Sequence, residues 1–496
     1  MPAKVERVLF VTSEVYPLVK TGGLADVSAS LPRALSNLGL DIRILLPGYP
    51  QALAAAKKAG GKEVTTLTTG GHTMTLWQTR LPDRNVPLWL LDCPALFDRH
   101  GGPYQNAEGH DWPDNAQRFH QFALAACQLA LNQCALDWQP DVVHCNDWQT
   151  ALIPALLHPL HQRPATVFTI HNLAYQGIFD AATFWRLGLP PALWHMDGLE
   201  FYGQLAFIKG GILFADLLST VSPRYSEEIQ QPQFGWGLDG ALRHRHERLQ
   251  GILNGIDEEI WNPETDANLP ARYHRDDLSG KALCKRALQQ CLGLPTEPDT
   301  PLLAFVGRLV EQKGVDLIEA VLPGLKDQGC QVALLGSGQP HLEVMLLDWQ
   351  QRHPRQIAVT LGYDEPLAHQ LTAGADMLLM PSRFEPCGLN QLYALKYGTP
   401  PIVHSVGGLR DTVFDPSQHS SRKANGFSFE PASGAAFWQA LERALALYRQ
   451  PRQWQRLQRR GMASDASWRR SASNYTRLYR AALATRQRAS RPTALV

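Results

Sequence analysis

Short apolar runs rich in β-branched residues alternate with helical stretches along this chain. The first run covers residues 7–13, a helix is predicted over 24–38, and the next run covers 41–47. Gly39 is expected to end that helix, and Pro32 inside it to kink or break it. A strand, a helix and a strand joined by short connections form a right-handed βαβ unit with parallel strands. The pattern therefore predicts an α/β fold built on parallel sheets.

The alternation begins a second time near residue 302, after a polar and weakly periodic stretch that follows residue 257. The chain has 496 residues, too many for one ordinary core. Two successive doubly wound domains, 1–250 and 251–467, followed by a tail over 468–496, are the economical interpretation. Further strands are predicted at 87–92, 141–144, 165–170, 217–221, 302–306, 331–335, 357–361, 377–380 and 401–403, with helices over 115–134, 314–325 and 389–397.

Composition excludes several classes of protein. Hydrophobic residues make up 44% and charged residues 19%, and the formal net charge is +1, so no overall field recruits nucleic acid or an anionic membrane. No apolar run is long enough to span a bilayer, and the run at 8–11 is too short for a signal peptide. The eight cysteines form no C-x-x-C pair, so neither a zinc knuckle nor a disulfide framework is indicated. A cytoplasmic location is expected.

The tail from Trp468 onward is rich in arginine and has no acidic residue. A nucleic-acid arm is one interpretation. Because Tyr475, Leu478 and Tyr479 fall at helical spacing, an amphipathic helix packed on the body is favoured. Residues 488–496 are expected to fray.

Two glycine-bounded loops with lysine or arginine follow predicted strands. The loop 20–26 contains Lys20 and paired glycines, and the N–H groups of the helix that follows suit a phosphate. Taken alone, the loop is better interpreted as an ordinary turn. The loop 307–314 holds Arg308 and Lys313, which could reach a diphosphate or lie on a solvated surface. Because open α/β sheets bind ligands at strand ends, a second such loop favours binding.

A third loop, 381–391, runs from a predicted strand into a helix and carries Glu385 just before that helix. The carboxylate there is either a helix-capping acid or an acceptor for sugar hydroxyls. Cys387 is interpreted as a space-filling thiol. The loops at 144–148 and 170–177 carry a histidine and an aspartate that would each be structural if considered alone, and 254–255 would pass as a turn.

Missing motifs narrow the chemistry further. No D-x-D pair is present to carry a metal–diphosphate complex. The glycines at 336–338 lack the third glycine of a dinucleotide fingerprint, so an NAD-dependent dehydrogenase is disfavoured. No G-x-S-x-G elbow appears.

Taken together, these loops resemble those of bacterial glycogen synthases and plant starch synthases, in the same order over nearly the whole chain. The matching segments are 20–27, 171–177, 254–257, 307–314 and 382–389. The resemblance implies a GT-B fold, in which two facing Rossmann-like doubly wound domains enclose a catalytic cleft and a C-terminal helix returns to the first domain. Domain closure about hinges near 254 and before 468 is expected, because neither set of loops is complete alone.

The resemblance also implies an activity: retaining, metal-independent transfer of glucose from ADP-glucose to the non-reducing end of an α-1,4-glucan, with release of ADP. No cofactor, nucleic acid or membrane is implied as a partner, and homo-oligomerisation is left open. The residues implied to be catalytic are His171, Arg308, Lys313 and Glu385. Those implied to contact ADP-glucose are Lys20, Gly22, Gly23, Asp26, Tyr104, Asp147, Asn254, Arg308, Lys313, Glu385 and Gly388.

The sequence departs at two places from the motifs of related glycosyltransferases. Many retaining GT-B enzymes carry a second glutamate eight residues after the first; here that position is Tyr393, a difference that the glycogen synthase subgroup shares. The segment 144–149 departs from the bacterial His-Asp-Trp-His form but keeps Asp147 and Trp148. The alternatives are another retaining GT-B transferase, acting on sucrose, trehalose or a lipid, and a glucan-binding relative that has lost catalysis.

Overall fold

A computed structural model describes residues 5–82, 84–420 and 422–489. The chain divides into two compact units. The N-terminal unit comprises 1–253 together with 468–496, and the C-terminal unit comprises 254–467. The predicted tail segment therefore belongs to the first unit. Most of the end that was expected to fray, 490–496, lies outside the described residues.

The N-terminal unit contains twelve strands and ten helices with α-helical geometry in its described part. The strands are β1 Arg7–Val11, β2 Asp41–Pro47, β3 Lys62–Thr69, β4 His72–Arg80, β5 Pro87–Asp92, β6 Val142–Asn146, β7 Ala165–Ile170, β8 Ile178–Phe179, β9 Glu200–Phe201, β10 Gln204–Ala206, β11 Leu217–Thr220 and β12 Leu249–Gly251. The helices are α1 Gly23–Ser36, α2 Pro50–Lys58, α3 Pro94–Phe97, α4 Asn115–Ala130, α5 Leu152–Leu157, α6 Ala181–Arg186, α7 Phe207–Phe214, α8 Pro223–Glu228, α9 Asp239–His244 and α18 Trp468–Ala489.

Nine of these strands form one sheet in the order β12-β11-β7-β6-β1-β2-β5-β4-β3. The predicted βαβ unit is present, since β1 and β2 pair in parallel on either side of α1. Pro32 lies inside α1, which continues to Ser36, so the expected break does not occur. The antiparallel pairs β3–β4 and β4–β5, and a separate antiparallel sheet β8-β10-β9, were not predicted.

Helix α18 packs on α1 and β7 within the N-terminal unit. Its apolar face is buried, as the spacing predicted, and includes Tyr475 and Tyr479. The Tyr479 hydroxyl lies 2.8 Å from Nδ1 of His144, whose Nε2 lies 2.6 Å from the Thr169 hydroxyl. Burial lowers the pKa of His144 to about 3, so the ring is neutral and helps to join the tail helix to the sheet.

The C-terminal unit has six strands and eight α-helices in its described residues. They are β13 Leu302–Val306, β14 Gln331–Gly336, β15 Ile357–Leu361, β16 Met377–Met380, β17 Pro401–His404 and β18 Phe427–Phe429, with α10 Ser279–Cys291, α11 Val315–Asp327, α12 Pro340–Arg352, α13 Glu365–Gly374, α14 Asn390–Lys396, α15 Gly407–Thr412, α16 Gly434–Tyr448 and α17 Pro451–Met462.

All six strands pair in parallel, in the order β15-β14-β13-β16-β17-β18. Successive side chains of a strand point to opposite faces of its sheet. Accordingly, Leu303 and Phe305 enter the hydrophobic core on one face, whereas Leu302 and Ala304 enter the core on the other. Both faces are covered, which is why these strands read as continuous apolar runs in the sequence.

No helix in the three described ranges has the length and apolar character needed to cross a bilayer.

Candidate functional site

In the N-terminal unit the predicted residues lie beyond the carboxyl ends of adjacent strands. The loop after β1 carries Lys20, β6 leads directly into Asp147, and β7 leads into His171. Because β1, β6 and β7 are neighbouring parallel strands of one sheet, these three chain segments emerge at the same edge.

Glu14, which the sequence analysis did not select, organises the first of these loops. Its side chain is buried and accepts four hydrogen bonds. Oε2 accepts from the backbone N–H groups of Thr21 (2.6 Å) and Gly22 (3.2 Å). Oε1 accepts from the Thr21 hydroxyl (2.5 Å) and from the Tyr104 hydroxyl (2.7 Å). Two backbone N–H groups just before α1 are therefore already bonded to a carboxylate.

Tyr104 is held from both sides. The Ser13 hydroxyl lies 2.7 Å from its oxygen, and the backbone carbonyl of Tyr104 accepts from Asn115 at 2.9 Å. Burial, and then the charge of Glu14, raises the pKa of the Tyr104 phenol well above its usual value, so the phenol remains a hydrogen-bond donor. The buried guanidinium of Arg118 donates to the Asn115 side-chain oxygen at 2.7 Å and so helps to hold Asn115 in place.

Lys20 and Asp26 form an ion pair, with the ammonium nitrogen 3.0 Å from Oδ1. Lys20 also lies 5.3 Å from the ring centroid of Tyr16. Gly22 precedes α1 with extended backbone, and Gly22 and Gly23 are both exposed. The loop thus presents a positive side chain and uncovered backbone at the start of a helix.

Asp147 and His171 are also brought together. Oδ1 of Asp147 accepts from the backbone N–H of His171 at 2.8 Å, and Nε2 of His171 lies 2.9 Å from Oδ1 of Asn146. Since the amide nitrogen of Asn146 donates to the Val11 carbonyl, its oxygen must accept, which places the histidine proton on Nε2. Burial lowers the pKa of His171 to about 3, so the ring is neutral and its Nδ1 is an acceptor.

Two further features mark Asp147. Burial raises its pKa to about 7, against the bonds from neighbouring backbone N–H groups. Its φ of 57° lies in the left-handed region, which costs a non-glycine residue about 1–3 kcal/mol and is concentrated at functional sites. The next residue, Trp148, packs its ring edge-on against Phe119, with 5.1 Å between ring centroids.

In the C-terminal unit, Lys313 and Glu385 meet beyond the ends of the adjacent strands β13 and β16. The ammonium nitrogen lies 2.5 Å from Oε2 of Glu385, and the buried Ser382 hydroxyl donates to the same oxygen at 3.0 Å. The carboxylate is buried and the lysine is partly exposed. A second contact holds these loops together, because the Gln312 amide donates to the Phe384 carbonyl at 2.5 Å.

Close backbone approach explains two glycines of this unit. Gly314 has a φ of 71°, and a Cβ there would lie 2.2 Å from the Pro381 carbonyl oxygen. Gly407 has a φ of 45°, and a Cβ there would lie 1.9 Å from the Glu385 carbonyl oxygen. Side chains at these positions would displace the chain that carries Glu385. Gly407 is a signal that the sequence analysis did not use.

The remaining predicted residues of this unit occupy the same loops. Arg308 is exposed between β13 and Lys313. Asn254 is buried, its backbone contacts the Cys387 thiol, and its Oδ1 has no hydrogen-bond partner among the described residues. Gly388 has a φ of 71° ahead of α14. Burial raises the pKa of Cys387 to about 12, in accord with a space-filling thiol.

A metal-binding cluster and a separate pocket were the other kinds of site considered for the described residues. No three His, Cys, Asp or Glu side chains in the described ranges are grouped so as to hold a metal ion. A pocket of about 510 Å³ in the C-terminal unit contains Arg410, His419 and Arg443 but none of the predicted residues. Two of its arginines are already paired, with Glu430 and Asp415.

Comparison with known proteins agrees with this arrangement. Residues 7–244 match the family model described as starch synthase catalytic domain, and residues 293–460 match that described as glycosyl transferases group 1. A glycogen synthase from Marinobacter nauticus is 57% identical over 97% of this chain and 99% of its own length.

Two solved structures are also similar. The catalytic domain of starch synthase IV from Arabidopsis thaliana, bound to ADP and acarbose, has a TM-score of 0.87 and is 32% identical, covering 97% of this chain and 100% of that domain. Sucrose-phosphate synthase from Thermosynechococcus elongatus, at 16% identity and a TM-score of 0.58 over 96% and 98% of the two chains, shares the fold. The fold is thus GT-B, and the chain belongs to the glycogen synthase and starch synthase family of glucosyltransferases.

Proposed function

We propose that this protein transfers glucose from ADP-glucose to the non-reducing end of an α-1,4-glucan, with retention of configuration, without a metal ion and with release of ADP. The observation that carries this proposal is the contact between Lys313 and Glu385 at the carboxyl edge of a parallel sheet. It sets a cation suited to a diphosphate beside an acid suited to sugar hydroxyls. The related starch synthase IV domain, solved with ADP and acarbose, supports the choice of nucleotide.

In the C-terminal unit, Arg308 and Lys313 neutralise the charge that grows on the departing diphosphate. Because this charge is larger in the transition state than in the ground state, the two cations lower the barrier rather than only tightening binding. Glu385 accepts hydrogen bonds from the glucose hydroxyls. Gly388 and Asn254 line the same loops, and the unpartnered Asn254 oxygen is available to a donor on the ligand.

In the N-terminal unit, Lys20, Gly22, Gly23 and Asp26 form the loop that binds the glucosyl phosphate, and Glu14 fixes its backbone. Tyr104 braces that loop through Glu14. His171 takes the position beside the reacting carbon that the family resemblance implies. Its neutral ring can accept a hydrogen bond at Nδ1, since Nε2 is committed to Asn146.

The proposed step is a front-side substitution. The bond between glucose C1 and the phosphate oxygen breaks with its electron pair going to ADP, and the acceptor 4-hydroxyl oxygen forms the new bond to C1 on the same face. The hydroxyl proton passes to the departing phosphate oxygen. No pair of carboxylates in the predicted loops suggests a double displacement, and position 393 is a tyrosine. Trapping a glucosylated side chain during turnover would overturn this mechanism.

The test compares glucose incorporation into glycogen and maltoheptaose from ADP-glucose and UDP-glucose, with and without EDTA. We expect α-1,4 extension that strongly favours ADP-glucose and is insensitive to EDTA. If a folded protein that binds ADP transfers glucose to neither glucan, then sucrose, trehalose or lipid acceptors, or a non-catalytic glucan-binding role, replace the proposal.

A further inference from the structure

Four large aromatic side chains between residues 175 and 236 of the N-terminal unit are exposed, and three of them lie on loops that contact one another. Tyr175 is 51% exposed, Tyr202 82% and Trp236 50%. A single exposed aromatic residue needs no explanation, but a group of them indicates a binding surface.

Contacts between the loops that carry them show that these residues are neighbours. The side-chain amide of Gln176 donates to the Trp236 carbonyl at 3.1 Å, and Tyr175 immediately precedes that glutamine. A Cβ built at Gly237 would lie 3.4 Å from the ring of Tyr202. We call Tyr175, Tyr202 and Trp236 the aromatic platform.

The backbone at two of these positions disfavours an aromatic side chain. Tyr202 and Gly203 form the two-residue loop between β9 and β10, with φ values of 50° and 77°. Trp236 and Gly237 repeat the pattern with 50° and 82°, inside a turn closed by the bond from Leu238 N–H to the Gly235 carbonyl. Turns with positive φ at both central residues favour asparagine, aspartate or glycine. Bulky rings placed there, and left exposed, are not explained by local folding.

One loop carries both a residue of the aromatic platform and a residue of the candidate site. Tyr175 lies in the loop that starts at His171. The same loop ends at Gly177, where a Cβ would lie 2.4 Å from the ring of Trp148, the neighbour of Asp147. A ligand bound on the aromatic platform would therefore contact the same loop that carries His171, a residue of the proposed reaction.

We propose that the aromatic platform binds the α-1,4-glucan acceptor through stacking of its rings on the apolar C–H faces of successive glucose units. This inference rests on the proposed function and adds the surface that holds the chain being extended. Ring faces suit such a ligand because pyranose hydroxyls project sideways and stay hydrated while the C–H face is buried. Three partly exposed rings offer a few hundred Å², less than the roughly 800 Å² per partner of a stable protein interface. The area therefore favours an oligosaccharide over a second protein chain.

The test uses Tyr202→Gly and Trp236→Gly, because glycine removes the ring and also suits the positive φ, so the fold is retained. We expect each change to raise KM for maltoheptaose by about 3- to 10-fold, with KM for ADP-glucose unchanged, and the double variant to raise it further. Tyr202→Phe keeps the ring and should match the parent protein. Trp185→Ala removes another exposed aromatic side chain of the unit, 54% exposed and outside the platform, and should leave KM for the glucan unchanged.

Direct binding separates this inference from the proposed function. Affinity electrophoresis in glycogen-containing gels reports glucan retention without turnover, so the platform is tested even if no donor is accepted. Weaker retention of both glycine variants, but not of Trp185→Ala, supports the platform. Unchanged retention and unchanged KM in the double variant would overturn it. A change in oligomeric state on size-exclusion chromatography, with glucan binding intact, would also overturn it and would mark the patch as a contact between copies.

Discussion

Lys313 and Glu385 form an ion pair in the C-terminal unit, with 2.5 Å between the ammonium nitrogen and Oε2 of the carboxylate. Each residue is implied to bind a different part of the donor, the lysine a phosphate and the glutamate a sugar. In the structure each partly neutralises the other. The Ser382 hydroxyl donates to the same carboxylate oxygen, so this bond of the glutamate does not depend on the lysine.

Replacement of Lys313 by Gln should lower kcat by about 10²–10³, because a preorganised donor to the departing diphosphate is lost. Initial rates of transfer from ADP-glucose to glycogen give this number. Arg352→Gln, which removes another cation paired with an acid on the exposed surface of α12, is the control and should leave the rate unchanged. A loss below about 5-fold in the Lys313 variant would contradict its assignment to the transition state.

Glu14 should behave as a positioning residue for the donor loop. In Glu14→Gln the amide oxygen can still accept from the Thr21 and Gly22 N–H groups, while its NH₂ can donate to the Thr21 and Tyr104 hydroxyls. Glu14→Ala leaves these groups without partners, at a cost of about 1–3 kcal/mol for each that stays buried. We therefore expect kcat/KM for ADP-glucose to fall about 10- to 100-fold in Glu14→Ala and much less in Glu14→Gln.

Affinity for maltoheptaose is the internal control for the Glu14 variants. It should be unchanged, because Glu14 does not contact the exposed rings of the aromatic platform. If Gln and Ala at this position are equally damaging, the carboxylate charge matters in its own right and the positioning role is wrong.

Gly314→Ala and Gly293→Ala form a matched pair. Both glycines belong to the C-terminal unit and have similar φ values, 71° and 67°, so alanine meets the same backbone strain of about 1–2 kcal/mol at each. Only at Gly314 does the new Cβ collide with a backbone atom, the Pro381 carbonyl oxygen at 2.2 Å. Gly293 has no neighbouring atom within 4 Å of that position.

We expect Gly293→Ala to lower Tm by about 2–4 °C with activity retained. Gly314→Ala should lower Tm further and reduce transfer at least about 10-fold, because the loop carrying Glu385 is displaced. Thermal unfolding and initial rates of glucose transfer are measured on the same preparations. Equal Tm values and equal rates for the two variants would show that the close approach of Gly314 to Pro381 is unimportant.

Burial of His144 should make the free energy of unfolding depend on pH. Its pKa is lowered to about 3 by burial, against an ordinary value of about 6.5, so the unfolded chain binds a proton that the folded chain does not. Between these two pH values folding stability falls with falling pH, by about 1.4 kcal/mol per pH unit for one proton. Above pH 6.5 this contribution is fully present.

His144→Gln keeps a side chain that can bond Tyr479 and Thr169 but removes the titrating ring. We expect its Tm to fall less steeply than that of the parent protein between pH 7 and pH 4. Parallel Tm curves over that range would contradict the assignment. His171, whose pKa is also about 3, contributes in both proteins and cancels in the comparison.

The strand pattern could be predicted because buried parallel strands are continuous apolar runs. The predicted strands at 302–306, 357–361 and 377–380 coincide with β13, β15 and β16. The antiparallel strands β3 and β4 were missed because each has only two buried residues, so no continuous apolar run marks either strand. The break that was one expectation for Pro32 does not occur, because a helix whose face is buried on neighbouring elements can tolerate a proline that an isolated helix could not.

The sequence by itself determined the fold class, the family and the loops that carry the candidate donor-binding residues, because these follow from local hydrophobic periodicity and from short motifs. Only the tertiary structure decided which side chains meet. Glu14 and Tyr104 are distant in sequence, as are Lys313 and Glu385, and each pair is joined because parallel strands deliver their carboxyl ends to one edge of a sheet. The aromatic platform could not be predicted either, because Tyr202 and Trp236 become neighbours only when the turns that carry them have folded.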